Sequence, residues 1–587
     1  MVWFRPLVGL VFAGVLSAQT QFFPLKDVRA GMRGTGKTVF SGTRIEEFQV
    51  EILGVLENVG PKQSIILGRF SGGPLQKTGV LQGMSGSTVY LDGKLAGAVA
   101  MTFAYSKEPI AGIRPIEEML RVREAGPQKP PVARVSLFEP QLASLFPPQE
   151  SILAGGTKLI DIATPVSLAG FTRRTVEQFA PQLRALGLEP VQGMGGGGTL
   201  PAQLGNPATL QPGSMITVQL LTGDMSAGAD GTVTYVDGKR VYAFGHRFLS
   251  IGATDLPFAR SEVLTLLPAL SASFKISAAR EWMGAITQDR STAVVGELGR
   301  RAVMIPVSIS VVRRGSNARQ SYQMRMVNDR VLSPFLLQAL VFSAIDATEQ
   351  TMGVSSFAVN GQVEFESGAA PLKLNNMYAG DFNVPMQVSL AAAVPLAYVM
   401  QSGFEILNPK KVALEIEAFP RKRQMQIDQV WSSRREVRPG ESLDLTVVLS
   451  GENGAELTRM VSYQVPIGAP TGPLQFTVAD ANTINLTEYR QMLGALPKSA
   501  AQLISFMNSL RPNTKAYVRV SRAQPAFDVL GEILPDPPPS LALILARTQA
   551  SLGGPSLAGN SKVAEIEISA GEMVVSGSRT IQVEVKE

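Results

Sequence analysis

The chain has 587 residues, a net charge of +6 at pH 7, no cysteine and a single histidine. Without cysteine there is no disulfide framework, no thiolate nucleophile and no sulfur-built metal site, so stability must come from packing. Lys and Arg are scattered rather than striped or interleaved with aromatics, which argues against a nucleic-acid partner.

Charged residues make up 17%, against a common level of about 25%, and apolar residues 45%. The 56 glycines and 39 prolines suit many short strands joined by turns. The length implies several domains, each able to bury its own core.

The N-terminus reads MVWFRPLVGLVFAGVLSAQT, with one Arg before an apolar run from Pro6 to Leu16 and a small-residue Leu16-Ser17-Ala18 ending. This predicts a secretory signal over residues 1–18, too short for a membrane span. The mature protein is expected to be exported, periplasmic or extracellular, with no integral membrane segment.

Residues 19–125 predict a β-rich unit. TVFSGTRIEEFQVEILGVLE alternates apolar and polar positions through Val39, Phe48, Val50 and Ile52. Leu91-Asp92-Gly93-Lys94 is a hairpin signal, and AGIRPIEEML a short helix. Residues 126–210 predict a linker and a small mixed α/β segment: GPQKPPVARV carries three prolines, Thr175 to Leu186 is helical, and GMGGGGTL is flexible. Strands return over 211–312 in MITVQLLTG, GTVTYVDGKRVYAFGH and AVMIPVSISVV. A β/α extension fills 313–420, with a helix beginning near Ser333, taken as its cap. From 421 to 587, turn signals about every ten residues predict an immunoglobulin-like β domain with a helical insert over Tyr489 to Leu510.

Gly31-Met-Arg-Gly-Thr-Gly36-Lys37-Thr38 matches the phosphate-loop pattern letter for letter. That chemistry needs a buried strand before the loop and a helix after it, whose N-terminal amides cradle phosphate. Here strand pattern follows instead, so the segment reads as a Gly-rich turn opening a hairpin and nucleotide binding is rejected. No cofactor and no metal is expected.

Two other segments carry candidate chemistry. In Gly83-Met84-Ser85-Gly86-Ser87 the glycines permit a sharp turn that can present Ser85 and aim the Gly83 and Ser85 amides at one point, as an oxyanion hole requires. By itself the pentapeptide reads as a structural turn, since Gly-Ser turns between strands are common. His246 ends a strand run on Gly245. It is either a structural histidine or the chain's one imidazole able to act as a base near neutral pH.

At these segments the sequence resembles the SpoIVB-type serine peptidases. GMSGSTVYLDGKLAGAVAMTF is similar to that family's nucleophile segment, normally GMSGSP, and GTVTYVDGKRVYAFGH to the segment in which a Gly-His pair ends a strand. The resemblance covers roughly residues 23–125 and 211–312. It implies a chymotrypsin-like double β-barrel built from two separated segments and says nothing about the C-terminal third; with the β-sandwich-like region and helical inserts read from turn spacing, the expected fold is mainly β. It gives Ser85 the nucleophile role, His246 the base role and Gly83 with Ser85 the oxyanion hole. Substrates would be extracytoplasmic proteins or peptides; apart from the resemblance, the C-terminal β region is expected to bind or position a protein partner.

Three departures stand out. Serine precedes histidine, the inverse of the family order. Thr88 replaces the family proline, and Arg247 follows the histidine. No Asp or Glu lies between Glu57 and Asp92, so the family's upstream carboxylate has no counterpart. Asp237, Asp255 and Asp289 are substitutes from the histidine half, with Asp255 taken as the triad acid; Asp237 reads as a hairpin residue, Asp289 as a partner of Arg290, and a Ser–His dyad stays open. The competing function is a catalytically silent interaction module derived from the same fold, and a third is a β-rich surface or carbohydrate-binding protein.

Overall fold

The computed structural model describes residues 21–587 except 104–105, 107, 123–150, 155–156, 194–199, 271, 316–317, 349–354, 494–496, 523–525, 530–531, 536, 549–555 and 559–560. The expected signal, the Pro-rich linker and the glycine run lie outside the described residues.

The first unit has six strands: β1 (Arg33–Ser41), β2 (Arg44–Gly60), β3 (Gln63–Ser71), β4 (Thr88–Leu91), β5 (Lys94–Phe103) and β6 (Ile110–Pro115). They pair in the order β4-β1-β2-β3-β6-β5, and β4 also pairs with β5, so the sheet closes on itself as a ring of six. The period-two pattern builds its core: Phe48, Val50 and Ile52 are almost fully buried and pack with Ile66, Phe70 and Val89, while Val39, equally buried, packs instead against Met215 and Val263. The Asp-Gly hairpin is present, with Leu91 facing Lys94 and both turn residues left-handed (Asp92 φ 48, Gly93 φ 74). The phosphate-loop look-alike lies mostly in β1. Its Gly34 and Gly36 are there because a Cβ would sit 2.1 Å from the Tyr90 carbonyl oxygen and from the Phe48 ring, respectively.

Two further strands, β7 (Ser151–Ala154) and β8 (Thr157–Asp161), extend this sheet, β8 pairing with β5. Sequence pattern had put them in the intervening segment. β9 (Thr164–Ala169) and β10 (Leu188–Gln192) instead join the second sheet, flanking the helix Arg173–Ala185.

The second unit repeats the closure. β11 (Met215–Gly223), β12 (Ser226–Asp237), β13 (Arg240–Ala243), β14 (Gly252–Leu267), β15 (Phe274–Arg290) and β16 (Ala293–Leu298) pair in the order β12-β13-β16-β15-β14-β11. β11 returns to β12, which closes another ring of six. The mainly β expectation is met, with two rings from separated segments. Strands Met304–Arg313 and Arg319–Val327 continue this sheet outward from β11.

The helix Leu332–Thr348 is buried nearly throughout, Val384–Met400 over much of its length, and both share the second ring's core. Asp329, not Ser333, caps the first of these, its carboxylate accepting from the amides of Val331 and Leu332. Among the described residues no helix is long and apolar enough to cross a membrane.

Beyond residue 421 a four-stranded and a five-stranded sheet share a core that includes Ile427, Leu445, Phe476 and Val518. The helices Ala481–Leu493 and Ala500–Ser509 are inserted between two strands of the larger sheet. This is the sandwich with helical inserts that the turn spacing anticipated.

The two rings meet along a packed joint. Leu95, Ala98, Ile116 and Met119 of the first pack with Tyr242, Ala293 and Val295 of the second. Main-chain bridges join Gly42 to Val263 and Gln82 to Phe274. Both candidate site segments lie at this joint.

Candidate active site

The turn that carries Ser85 is held from both sides. Its carbonyls face β12: the Thr232 amide donates to Ser85 O at 2.8 Å, Thr232 Oγ1 to Gly83 O at 2.9 Å and Thr234 Oγ1 to Gly86 O at 2.8 Å. The Gly86 amide donates to Val99 O at 2.7 Å. Gly86 can only be glycine, since with φ +93 a Cβ would fall 1.9 Å from the Thr232 oxygen and 2.6 Å from the Phe244 nitrogen.

The histidine segment enters the same place. A Cβ on Gly245 would lie 3.3 Å from Val99 O, the atom that already receives the Gly86 amide. The residues next to Ser85 and His246 in the chain therefore flank a single carbonyl. Buried Arg114 of the first ring, paired to Glu118 at 3.2 Å, donates its Nε to Gly245 O at 3.4 Å.

Polar groups at the site are left without partners. Among the described residues eight buried side-chain nitrogens and oxygens have no hydrogen-bond partner, and four belong to Gln82, Ser85, Thr88 and His246. Such groups are rare because each costs about 1–3 kcal/mol of desolvation, and half of them lie at this one joint. Ser85 Oγ and His246 Nε2 are both among them, so they do not bond to each other. Within the turn, the amides of Met84, Gly86 and Ser87 are used. Those of Gly83 and Ser85 donate to nothing among the described residues. Gly83 lies at φ +90. Ser85 is 0% and His246 2% exposed, so the joint is closed.

The imidazole is oriented without a carboxylate on its ring. His246 Nδ1 lies 2.6 Å from Arg247 O, and a carbonyl only accepts, so Nδ1 carries the proton and the Nε2 lone pair is free. Burial holds the ring below its ordinary pKa, against the raising effects of the Asp161 charge and the Arg247 carbonyl. It is therefore neutral at pH 7. Asp161, at the end of β8, is 3.8 Å from the Arg247 guanidinium. Sequence spacing missed it, because only the β5–β8 pairing brings it here.

The three aspartates from the histidine half take other places. Asp255 is not the orienting acid: its carboxylate accepts from Arg300 Nε and the Val303 amide, both at 3.0 Å, while neither ring nitrogen of His246 touches it. Asp237 closes the β12–β13 hairpin opposite Arg240, as its Asp-Gly pair indicated. Asp289 is buried and accepts from the amides of Phe248 (2.8 Å), Leu249 (2.7 Å) and Ile251 (3.2 Å), while Arg290 bonds Gln288 instead. Burial pushes the Asp289 carboxyl up to about 6 despite those amides.

A second polar chain runs beneath the turn. Ser87 Oγ donates to Thr38 Oγ1 at 2.9 Å, which also accepts from Lys275 Nζ at 2.8 Å. Lys275 is fully buried, and that burial pushes its ammonium down to about 7. Asp230, near it and held by Thr217 and Ser277, is pushed up to about 6 by burial.

Among the described residues no cluster of three or more His, Asp or Glu side chains could hold a metal. No curated protein and no solved structure matches the chain. One family model does, that of the SpoIVB peptidase S55 family, over residues 22–120. This span holds the first ring and the Ser85 turn and ends before His246. By that match the Ser85-bearing part of this chain is similar to the SpoIVB-type serine peptidase family.

Proposed function

We propose that the protein is an exported serine endopeptidase acting on extracytoplasmic protein segments through an acyl-enzyme, with its two rings arranged as a chymotrypsin-like pair. Ser85 Oγ bonds to the scissile carbonyl carbon and its proton passes to His246 Nε2. The developing oxyanion is received by the Gly83 and Ser85 amides. Collapse breaks the C–N bond as Nε2 returns the proton to the leaving amine, and water then repeats the cycle on the ester. The carboxylate's usual work of fixing the tautomer falls to the Arg247 carbonyl.

One observation carries this reading. A nucleophile, the correct nitrogen of a neutral base and two oxyanion donors all lie unpartnered at one buried joint. Burial of both Ser85 and His246 favours a second reading, the silent interaction module. A fluorophosphonate probe separates them: covalent labelling of wild type, absent in Ser85→Ala and in His246→Ala, supports the peptidase. An unlabelled, folded wild type supports the module.

A further inference from the structure

The loop from Phe244 to Gly252 holds the imidazole in a conformation it would not adopt unaided. Phe244 (φ 70) and Ser250 (φ 56) are left-handed without being glycine, and Gly245 (φ 70) and Gly252 (φ 80) are left-handed as well. Side chains rarely accept that region unless their surroundings impose it. Three amides of the loop, from Phe248, Leu249 and Ile251, converge on the Asp289 carboxylate, which projects from β15 and is 1% exposed. Both carboxylate oxygens are used, Oδ1 by Phe248 and Oδ2 by Leu249 and Ile251. The chain between Gly245, pinned by Arg114, and Phe248, pinned by Asp289, contains only His246 and Arg247. The Arg247 carbonyl therefore meets Nδ1 at 2.6 Å because the chain is fixed on either side of it.

We propose that Asp289 is the positioning carboxylate of this site, acting on the loop rather than on the ring. By gathering three amides it presents the Arg247 carbonyl to Nδ1, which fixes the tautomer that leaves Nε2 free. This deepens the peptidase reading and rests on it for its purpose, although its geometry does not need turnover to be tested. Asn at 289 supplies one acceptor oxygen in place of two and turns an NH2 group toward amides that need an acceptor.

The test uses the full chain. Because there is one histidine, histidine-selective 15N labelling reports His246 alone. The wild-type ring is expected to be the Nδ1–H tautomer, and Asp289→Asn to mix tautomers or reverse them. Fluorophosphonate labelling of Asp289→Asn is expected to slow by about 10²-fold, the scale on which small misplacements act. A folded Asp289→Asn protein with the wild-type tautomer and labelling rate overturns the proposal. Should that variant not fold, hydrogen exchange on the wild type decides. Protection of the Phe248, Leu249 and Ile251 amides equal to that of β15 supports the proposal, and exchange as fast as in exposed loops overturns it. An unlabelled wild type with the expected tautomer and protected amides defeats the peptidase reading while leaving the positioning role standing.

Discussion

Two serines, two residues apart in one turn, should respond to removal of their hydroxyls with opposite signs. Ser85 Oγ is buried with no partner. Burying a hydroxyl unbonded costs roughly 1–3 kcal/mol, which Ser85→Ala recovers. The void left by one oxygen, roughly 10–15 Å3, costs about 0.3 kcal/mol at about 24 cal/mol per Å3. Ser85→Ala should therefore stabilise by about 1–2 kcal/mol while abolishing labelling, the exchange of stability for function expected at active sites. Ser87 Oγ instead donates to Thr38 in full burial, so Ser87→Ala should destabilise by about 1 kcal/mol. At roughly 2 °C per kcal/mol for units of this size, calorimetry should show the melting temperature rising by about 2–4 °C in the first variant and falling by about 2 °C in the second. If Ser85→Ala melts lower than wild type, its hydroxyl is bonded in the native state and the reasoning from unpartnered groups fails.

Other expectations are simpler to check. Asp255→Asn should leave the fluorophosphonate labelling rate within about two-fold of wild type, because its carboxylate serves Arg300 and Val303 alone. Gly86→Ala combines a left-handed conformation with a backbone contact of 1.9 Å, at about 1–2 kcal/mol for the first and about 1–3 for the overpacking. It should lose the joint between the rings, seen as rapid hydrogen exchange in β12. Burial holds the His246 pKa below 6.5, so labelling should keep its plateau at pH 6.5 and decline only as pH falls further and Nε2 takes a proton. The same shift makes the folded state refuse a proton that the unfolded chain accepts. His246 therefore contributes stability that is present above pH 6.5 and lost as pH falls through the folded value. His246→Gln should flatten that part of the melting-temperature profile.

What could be read beforehand was local. Ser85 stands out in the sequence because glycines surround it and His246 because composition leaves no rival, and the fold brings both segments to one joint. The hairpin at Asp92 was legible because left-handed turns select Asp-Gly, that after Asp237 because Gly238 takes the positive φ of its turn, and the alternation through Phe48, Val50 and Ile52 already announced a core face. What orients the imidazole was not legible, since every residue has a carbonyl and only the loop's path singles out that of Arg247. Asp255 and Asp289 looked alike in sequence. They differ in what lies before them: the β14–β15 register sets Asp289 opposite Gly252, beside the loop amides, whereas Asp255 faces Arg300 and Val303 beyond β16. Asp161 was hidden by its register with Met101 on β5, and Ser333 passed for a cap because Asp329 lies one turn earlier.

The grip of β12 on the serine turn reaches beyond geometry. Thr232 and the Gly83 carbonyl it secures are 149 positions apart. A ribosome thus releases the serine well before the strand that shapes its surroundings, and N-terminal units fold first. A nascent or truncated chain would carry Ser85 without His246 and without the Thr232 and Thr234 bonds that hold its turn. The joint would form late and all at once, only when both rings are present.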